Sequence, residues 1–203
     1  MNRRTSIAVE LRITEKEKQT VLNNFFWVYP SVISNALCDY MVKTAPWREK
    51  IDAELYEEND LNQIDHEMRK TDVTFTSPYT PLGCMLQTYT TLANKEAGWN
   101  FDLTGFEQIQ VAKYQDNAHY DWHIDSFVPD QNNNQRKLSS VAFLSDPDTY
   151  EGGVFEFKIA LLPEKMPKGT IIVFPSVLEH RVTAVESGTR YSAACWSYGP
   201  AFK

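Results

Sequence analysis

The stretch HYDWHID, residues 119–125, decides how the second half of the chain is read. His119 and His123 are four apart, a spacing that on a helix puts both imidazoles on one face. A helical zinc pair of the metalloprotease type needs Glu directly after its first His, and Tyr120 stands there. The segments on either side alternate apolar and polar residues with the period of a strand. On a strand, His123 and Asp125 point one way and Ile124 the other. A turn is expected in QDNA, 115–118, just before the stretch, so His119 is read as a loop residue or pocket rim.

Working outward, the residues after about 100 read as short strands rich in Val, Ile, Phe and Tyr: FEQIQVAKY (106–114), SSVAFLS (139–145), VFEFKI (154–159), TIIVF (170–174), HRVTAV (180–185) and RYSAACWSY (190–198). Turn signals DPD, EGG, PKG and ESG separate them, and Gly152–Gly153 is read as a tight hairpin turn. Strands at this spacing predict a β-sandwich or barrel. The first hundred residues carry helical patterns instead. In 30–45 the apolar residues Ile33, Leu37, Tyr40 and Met41 recur at helical spacing. In 80–98, Thr80 is the expected N-cap, Pro81 the first helical residue and Gly98 the stop, with a stripe of Leu82, Met85, Leu86, Tyr89, Leu92 and Ala93. No Pro/Gly/Ser linker divides the halves, so 1–203 is read as one α+β domain: a helical part to about 100 packed on one sheet of a β-barrel core, about 101–203.

Composition narrows the functions. With 20 basic against 27 acidic side chains and a net charge of −7, a broad phosphate-tracking surface is not expected, and nucleic acid is not read as a partner. No long apolar run or basic amphipathic helix calls for a membrane. The first residues contain no apolar core of a secretory signal. Cys38, Cys84 and Cys195 are odd in number and widely spaced, which suits a reducing, cytoplasmic setting without disulfides. The charged stretch 46–72, which holds His66, reads as a solvated loop or surface helix with an exposed histidine. A mobile cover over a site is the sharper alternative for 46–72 and for the loop 126–136.

The chemistry rests on a constellation. His123 and Asp125 supply an imidazole and a carboxylate on one strand face, and a histidine from a facing strand would complete a 2-His-1-carboxylate triad suited to Fe(II), with three coordination positions left open. His180 stands at the start of a predicted strand. Ten residues on, Arg190 begins another and could offer its guanidinium fork to a carboxylate.

Here the chain resembles the prolyl 4-hydroxylase-like branch of Fe(II)/2-oxoglutarate oxygenases, and in particular the bacterial PKHD-type hydroxylases. YQDNAHYDWHID (114–125) is similar to the family's Y-x-x-G-x-x-Y-x-x-H-x-D run, with Asn117 where glycine is usual; asparagine tolerates the left-handed turn conformation. RKLSSVAFLSDPDTYEGGVFEF (136–157) and PKGTIIVFPSVLEHRVTAVESGTRYSAACW (167–196) look like the family's arginine-led strand and distal-histidine segment. The resemblance runs from about 105 to 198 and is looser before that.

It implies a double-stranded β-helix (jelly-roll) with His123, Asp125 and His180 on Fe(II). It also implies Arg190 on the distal carboxylate of 2-oxoglutarate, Tyr114 hydrogen-bonded to the same co-substrate, and O2 and ascorbate as further requirements. The implied reaction hydroxylates a C–H bond, proline in a peptide or protein first, with succinate and CO2 as co-products. Tyr120, Arg136 and Trp196 are the candidate substrate residues, although a solvated loop arginine also describes Arg136 and a core tryptophan describes Trp196 as well.

A free amino acid or other small molecule is an alternative substrate. A nucleic-acid demethylase usually carries a second arginine soon after the first, which RYSAAC lacks, and a halogenase would have a small residue in place of Asp125. A non-catalytic metal-binding barrel is the reading from outside enzymology. Oligomeric state is left open by the sequence.

Overall fold

The computed structural model describes residues 25–47, 69–160 and 162–202. Among these residues, thirteen strands and two longer helices occur in the order β1 (Trp27–Tyr29), α1 (Asn35–Thr44), β2 (Arg69–Lys70), β3 (Asp72–Thr76), α2 (Pro81–Glu96), β4 (Gly105–Phe106), β5 (Ile109–Tyr114), β6 (His119–His123), β7 (Asn134–Phe143), β8 (Tyr150–Gly152), β9 (Phe155–Phe157), β10 (Ile171–Pro175), β11 (His180–Val182), β12 (Val185–Gly188) and β13 (Arg190–Pro200). The major sheet has the order β1-β10-β7-β13-β5-β3, with β4 also paired to β13. The minor sheet is β2-β6-β11-β9, and β8 pairs with β12 separately. Every pairing is antiparallel.

The two-residue strand period explains how this sheet is buried on both faces. In β10, Ile171 and Val173 join one core while Ile172 and Phe174 join another. The first core packs the helices on the major sheet: Leu82, Leu86 and Ala93 of α2 and Cys38 and Met41 of α1 meet Val111, Leu138, Leu144 and Cys195. The second joins major-sheet Val141, Phe143 and Phe174 to minor-sheet Phe155, Phe157, Val182 and Tyr120. The aromatic interior between the two sheets is therefore the chamber of a double-stranded β-helix.

Local signals place the helices. Thr80 Oγ1 accepts the Gly83 N–H as N-cap, Pro81 opens α2, and Gly98 follows at φ +74°. The buried stripe differs from the expected one. Leu82, Leu86, Thr90 and Ala93 face the sheet, whereas Leu92 is exposed and Met85 and Tyr89 are half-buried. Thr90 can turn inward because its hydroxyl donates to the Leu86 carbonyl at 2.7 Å, so no polar group is stranded. In α1, capped by Ser34, Cys38 and Met41 are buried and the expected Tyr40 points to solvent.

Three further expectations are corrected. Gly152 and Gly153 (φ +71° and +60°) do not form a hairpin turn, because β8 pairs with β12 and β9 with β11. The pair instead carries the chain from the separate β8–β12 ribbon into the minor sheet. The strand expected over 180–185 breaks after Val182, and β12 begins at Val185. The predicted loop 126–136 ends early, since β7 starts at Asn134. Of the stretch 46–72, residues 48–68, with His66, lie outside the described residues. Among the described residues, no helix is long and apolar enough to cross a membrane.

Candidate functional site

β6 and β11 pair so that His123 stands directly opposite His180. The turn expected before β6 is present: Asp116 and Asn117 adopt φ +53° and +63°, so asparagine does meet the left-handed geometry. β6 ends at His123, and Asp125 lies on the bend beyond it instead of on the strand. What aims its carboxylate inward is a tertiary contact. The Ser176 carbonyl accepts the N–H groups of both Asp125 and Ser126, each at 2.9 Å. Ile124 faces outward and is exposed, as expected.

The three ligand atoms lie within 4.8 Å of one another. His123 Nε2 is 3.6 Å from Asp125 Oδ1, and His180 Nε2 is 3.5 Å from Asp125 Oδ2. Each ring nitrogen on the far side is already used. His123 Nδ1 lies 2.7 Å from the Asp121 carbonyl and His180 Nδ1 lies 2.9 Å from the Leu178 carbonyl. A carbonyl only accepts, so Nδ1 carries the proton and Nε2 keeps its lone pair facing the Asp125 carboxylate. That is the donor set of a divalent cation with imidazole and oxygen ligands.

Arg190, at the start of β13, is the register partner of Tyr114. It is 1% exposed and is the largest of the fully buried side chains. Its Nη1 donates to Ser192 Oγ at 3.1 Å, while Nε and Nη2 have no hydrogen-bond partner among the described residues. Its guanidinium lies 5.1 Å from the Tyr114 ring and 5.5 Å from that of Phe143. Gly153 makes room for it, because a Cβ there would sit 2.9 Å from Arg190 Cδ. Leaving two donors of a buried cation unsatisfied costs several kcal/mol, so the arrangement calls for an anion in the chamber.

Residues 109–198 match the 2OG-Fe(II) oxygenase superfamily. A PKHD-type hydroxylase of Synechococcus sp. (strain CC9605) is 37% identical over 91 residues, covering 43% of this chain and 40% of the relative. The PKHD-type hydroxylase PiuC of Pseudomonas aeruginosa is 33% identical over 90 residues, 41% of this chain and 40% of that one. The matched stretch thus spans about two-fifths of the length of these curated relatives. The fold is shared more widely. The viral collagen prolyl hydroxylase of Paramecium Bursaria Chlorella virus-1, solved with 2OG, aligns over 86% of this chain and 96% of its own with a TM-score of 0.65 at 21% identity. A Pseudomonas putida prolyl-4-hydroxylase aligns over 91% and 97% with a TM-score of 0.61 at 17% identity.

The structure also places the remaining residues singled out in the sequence. Tyr120 stacks on His123, with centroids 3.5 Å apart and planes 12° apart, and the Arg69 guanidinium of β2 lies 4.7 Å from the Tyr120 ring centroid. Tyr114 is buried in the chamber wall. Trp196 is 8% exposed, and its indole leans toward Asp125 without reaching hydrogen-bond geometry. Arg136 is no solvated loop arginine. It sits on β7, stacks 4.1 Å over Trp196, and grips Glu107 with Nε and Nη2 at 2.6 Å each, while Nη1 reaches the Asp125 carbonyl at 3.4 Å. His119 opens β6 opposite Lys70, so it is a strand residue. The thiols of Cys38, Cys84 and Cys195 are all free.

Burial, with His180 adding to it, holds the His123 imidazole down at about 4. Burial alone would raise the Asp125 carboxyl. The neighbouring His180, the Ser139 hydroxyl and His123 outweigh that and hold it below its usual value. At neutral pH the site therefore presents an ionised carboxylate beside a neutral His123 ring. Residues not singled out from sequence are Ser139, Ser176, Glu107 and Arg69. A pair of serines inside the apolar strand SSVAFLS was the legible hint for the first.

Proposed function

We propose that this chain is an Fe(II)- and 2-oxoglutarate-dependent dioxygenase that hydroxylates a C–H bond, prolyl first among the candidates, in a peptide or protein. The observation that carries the reading is the buried Arg190 guanidinium, two of whose nitrogens have no partner among the described residues, in the same aromatic interior as the His123, Asp125 and His180 triad. A histidine–carboxylate cluster alone fits many metals. The added cationic pole fits a dicarboxylate co-substrate that chelates iron at one end and needs a counter-ion at the other.

Bound iron, 2-oxoglutarate and O2 together supply the oxidising chemistry, with succinate and CO2 as co-products, and ascorbate is expected to keep the iron reduced. The protein's own part is positioning and exclusion of water. Nε2 of His123, Nε2 of His180 and the Asp125 carboxylate would hold the iron. Arg190 would clamp the distal carboxylate, with the Tyr114 hydroxyl as a second donor. Phe143, Phe155, Phe157 and Phe174 line the interior and keep it dry. On the substrate side, Tyr120, Trp196 and Arg136 are the orienting groups. Glu107 occupies Nε and Nη2 of Arg136, and Nη1, which donates one N–H toward the Asp125 carbonyl, has a second N–H to meet a substrate carbonyl. A neighbour in fold, a prolyl hydroxylase from Trichoplax adhaerens, is solved in complex with a hypoxia inducible factor peptide fragment, which supports a peptide substrate here.

The test is turnover. Protein loaded with Fe(II), ascorbate and 2-oxoglutarate should release succinate, and proline-containing peptides should gain one oxygen by mass spectrometry. Absence of succinate from a verified iron-loaded sample would sink the enzyme reading. His123→Ala and Asp125→Ala should each abolish metal-dependent binding of 2-oxoglutarate.

A further inference from the structure

Asp125 is reached by a chain of buried hydroxyls. Ser139, on β7 and 1% exposed, donates from Oγ to Asp125 Oδ2 at 2.7 Å. Ser139 Oγ is 2.9 Å from Ser176 Oγ, and Ser176 is 0% exposed. A serine hydroxyl has one proton, and that of Ser139 is committed to the carboxylate. Ser176 is therefore the donor to Ser139, and the chain runs Ser176 to Ser139 to Asp125. Each link polarises the next.

Ser176 has little freedom to move. Its N–H donates to the Lys137 carbonyl at 2.9 Å, and its own carbonyl holds the N–H groups of Asp125 and Ser126. It also belongs to the turn between β10 and β11. There the Leu178 N–H donates to the Pro175 carbonyl, and the Leu178 carbonyl receives His180 Nδ1. One turn thus orients two ligands, His180 directly and Asp125 through Ser176. Asp125 needs such support because it stands beyond the end of β6, where no ladder hydrogen bonds fix its backbone.

We propose that Ser139 and Ser176 form the positioning device that fixes the Asp125 carboxylate for metal binding, with Ser176 acting through Ser139. The proposal rests on the metal reading given above. Both serines are positioning residues, since neither is itself one of the three ligands. Outer-shell partners of metal-binding carboxylates typically contribute 10- to 100-fold in metal affinity.

The experiment titrates Mn(II) into the metal-free protein by calorimetry, with no co-substrate, and records the Co(II) absorption spectrum of each variant. Ser139→Ala should weaken Mn(II) binding by about 10- to 100-fold and change the Co(II) bands. Ser176→Ala should weaken it by about 2- to 10-fold, the net contribution of one hydrogen bond. The double variant should bind like Ser139→Ala, and Ser139→Thr, which keeps the hydroxyl, should restore most of the affinity. Unchanged Mn(II) affinity in Ser139→Ala overturns the proposal. So does a lowered melting temperature of the metal-free protein with an unchanged Co(II) spectrum. A further loss from Ser176→Ala in the Ser139→Ala background overturns the relay. If Ser139→Ala does not fold, Ser176→Ala carries the test, because it leaves the Ser139–Asp125 bond in place. Failure of the unsubstituted protein to bind Mn(II) overturns the metal site itself.

Discussion

Replacing Arg190 with Met should separate stability from co-substrate binding, with opposite signs. In the ligand-free protein Arg190 is a fully buried cation with one hydrogen bond, to Ser192, and no ion pair among the described residues. Exchanging buried charges for apolar side chains of similar volume often stabilises a protein, by about 1–4 kcal/mol. Two effects oppose this. A void of ~20 Å³ left by the smaller methionine costs about 0.5 kcal/mol at ~24 cal/mol per Å³. Loss of the guanidinium contacts to Tyr114 and Phe143 costs about 0.5–1 kcal/mol. The net is about 1 kcal/mol in favour of Arg190→Met, a rise of roughly 2–4 °C in melting temperature for a chain of this size. Binding should move the other way. Truncating one partner of a buried charge pair costs about 2–5 kcal/mol, which is about 30-fold or more in affinity for 2-oxoglutarate. The assay is thermal unfolding with Mn(II) in place of iron, with and without 2-oxoglutarate. In the unsubstituted protein, co-substrate at ~100 times its Kd should add about 2.7 kcal/mol. In the variant that shift should vanish. A variant that melts several degrees lower without ligand and still responds to 2-oxoglutarate would refute the reasoning.

Gly153→Ala should lower both stability and 2-oxoglutarate affinity. Its φ of +60° costs a side chain about 1–3 kcal/mol, and the new Cβ would push on Arg190 Cδ and Val185; an unchanged melting temperature would contradict this. A thiol reagent on native protein should label Cys84 quickly and leave two thiols until unfolding. Cys38 and Cys195 are buried, and burial pushes the Cys195 thiol up to about 12. More than one fast thiol would be the wrong result. Stability of the metal-free protein should fall as pH drops from about 6.5 toward 4. The unfolded chain takes up a proton on His123 near 6.5, whereas the native ring resists it down to about 4. Urea midpoints at pH 7.5 and 5.5 measure this, and His123→Gln should flatten the slope.

Much of this protein was legible locally. Runs rich in Val, Ile, Phe and Tyr between turn signals mark β5, β7, β10 and β13, and the Thr80–Pro81 start and Gly98 stop mark α2, because these features depend on residues a few positions apart. His123, Asp125, His180 and Arg190 were legible as a pattern of residue types. Other features arise only from contacts distant in sequence. Asp125 leaves the strand and is aimed by Ser139, Ser176 and the Ser176 carbonyl, 14 to 51 positions away. Arg136 is held by Glu107, 29 positions back, and so is no free loop arginine. Gly152–Gly153 looks like a hairpin turn in one dimension, yet it joins two sheets, because strand partners are chosen by which apolar faces must meet. By itself the sequence brought forward His123, Asp125 and His180 as candidate metal ligands and Arg190 as a candidate partner for a carboxylate. Tertiary structure decided how each is oriented, since a hydrogen bond forms only where folding brings donor and acceptor within about 3 Å.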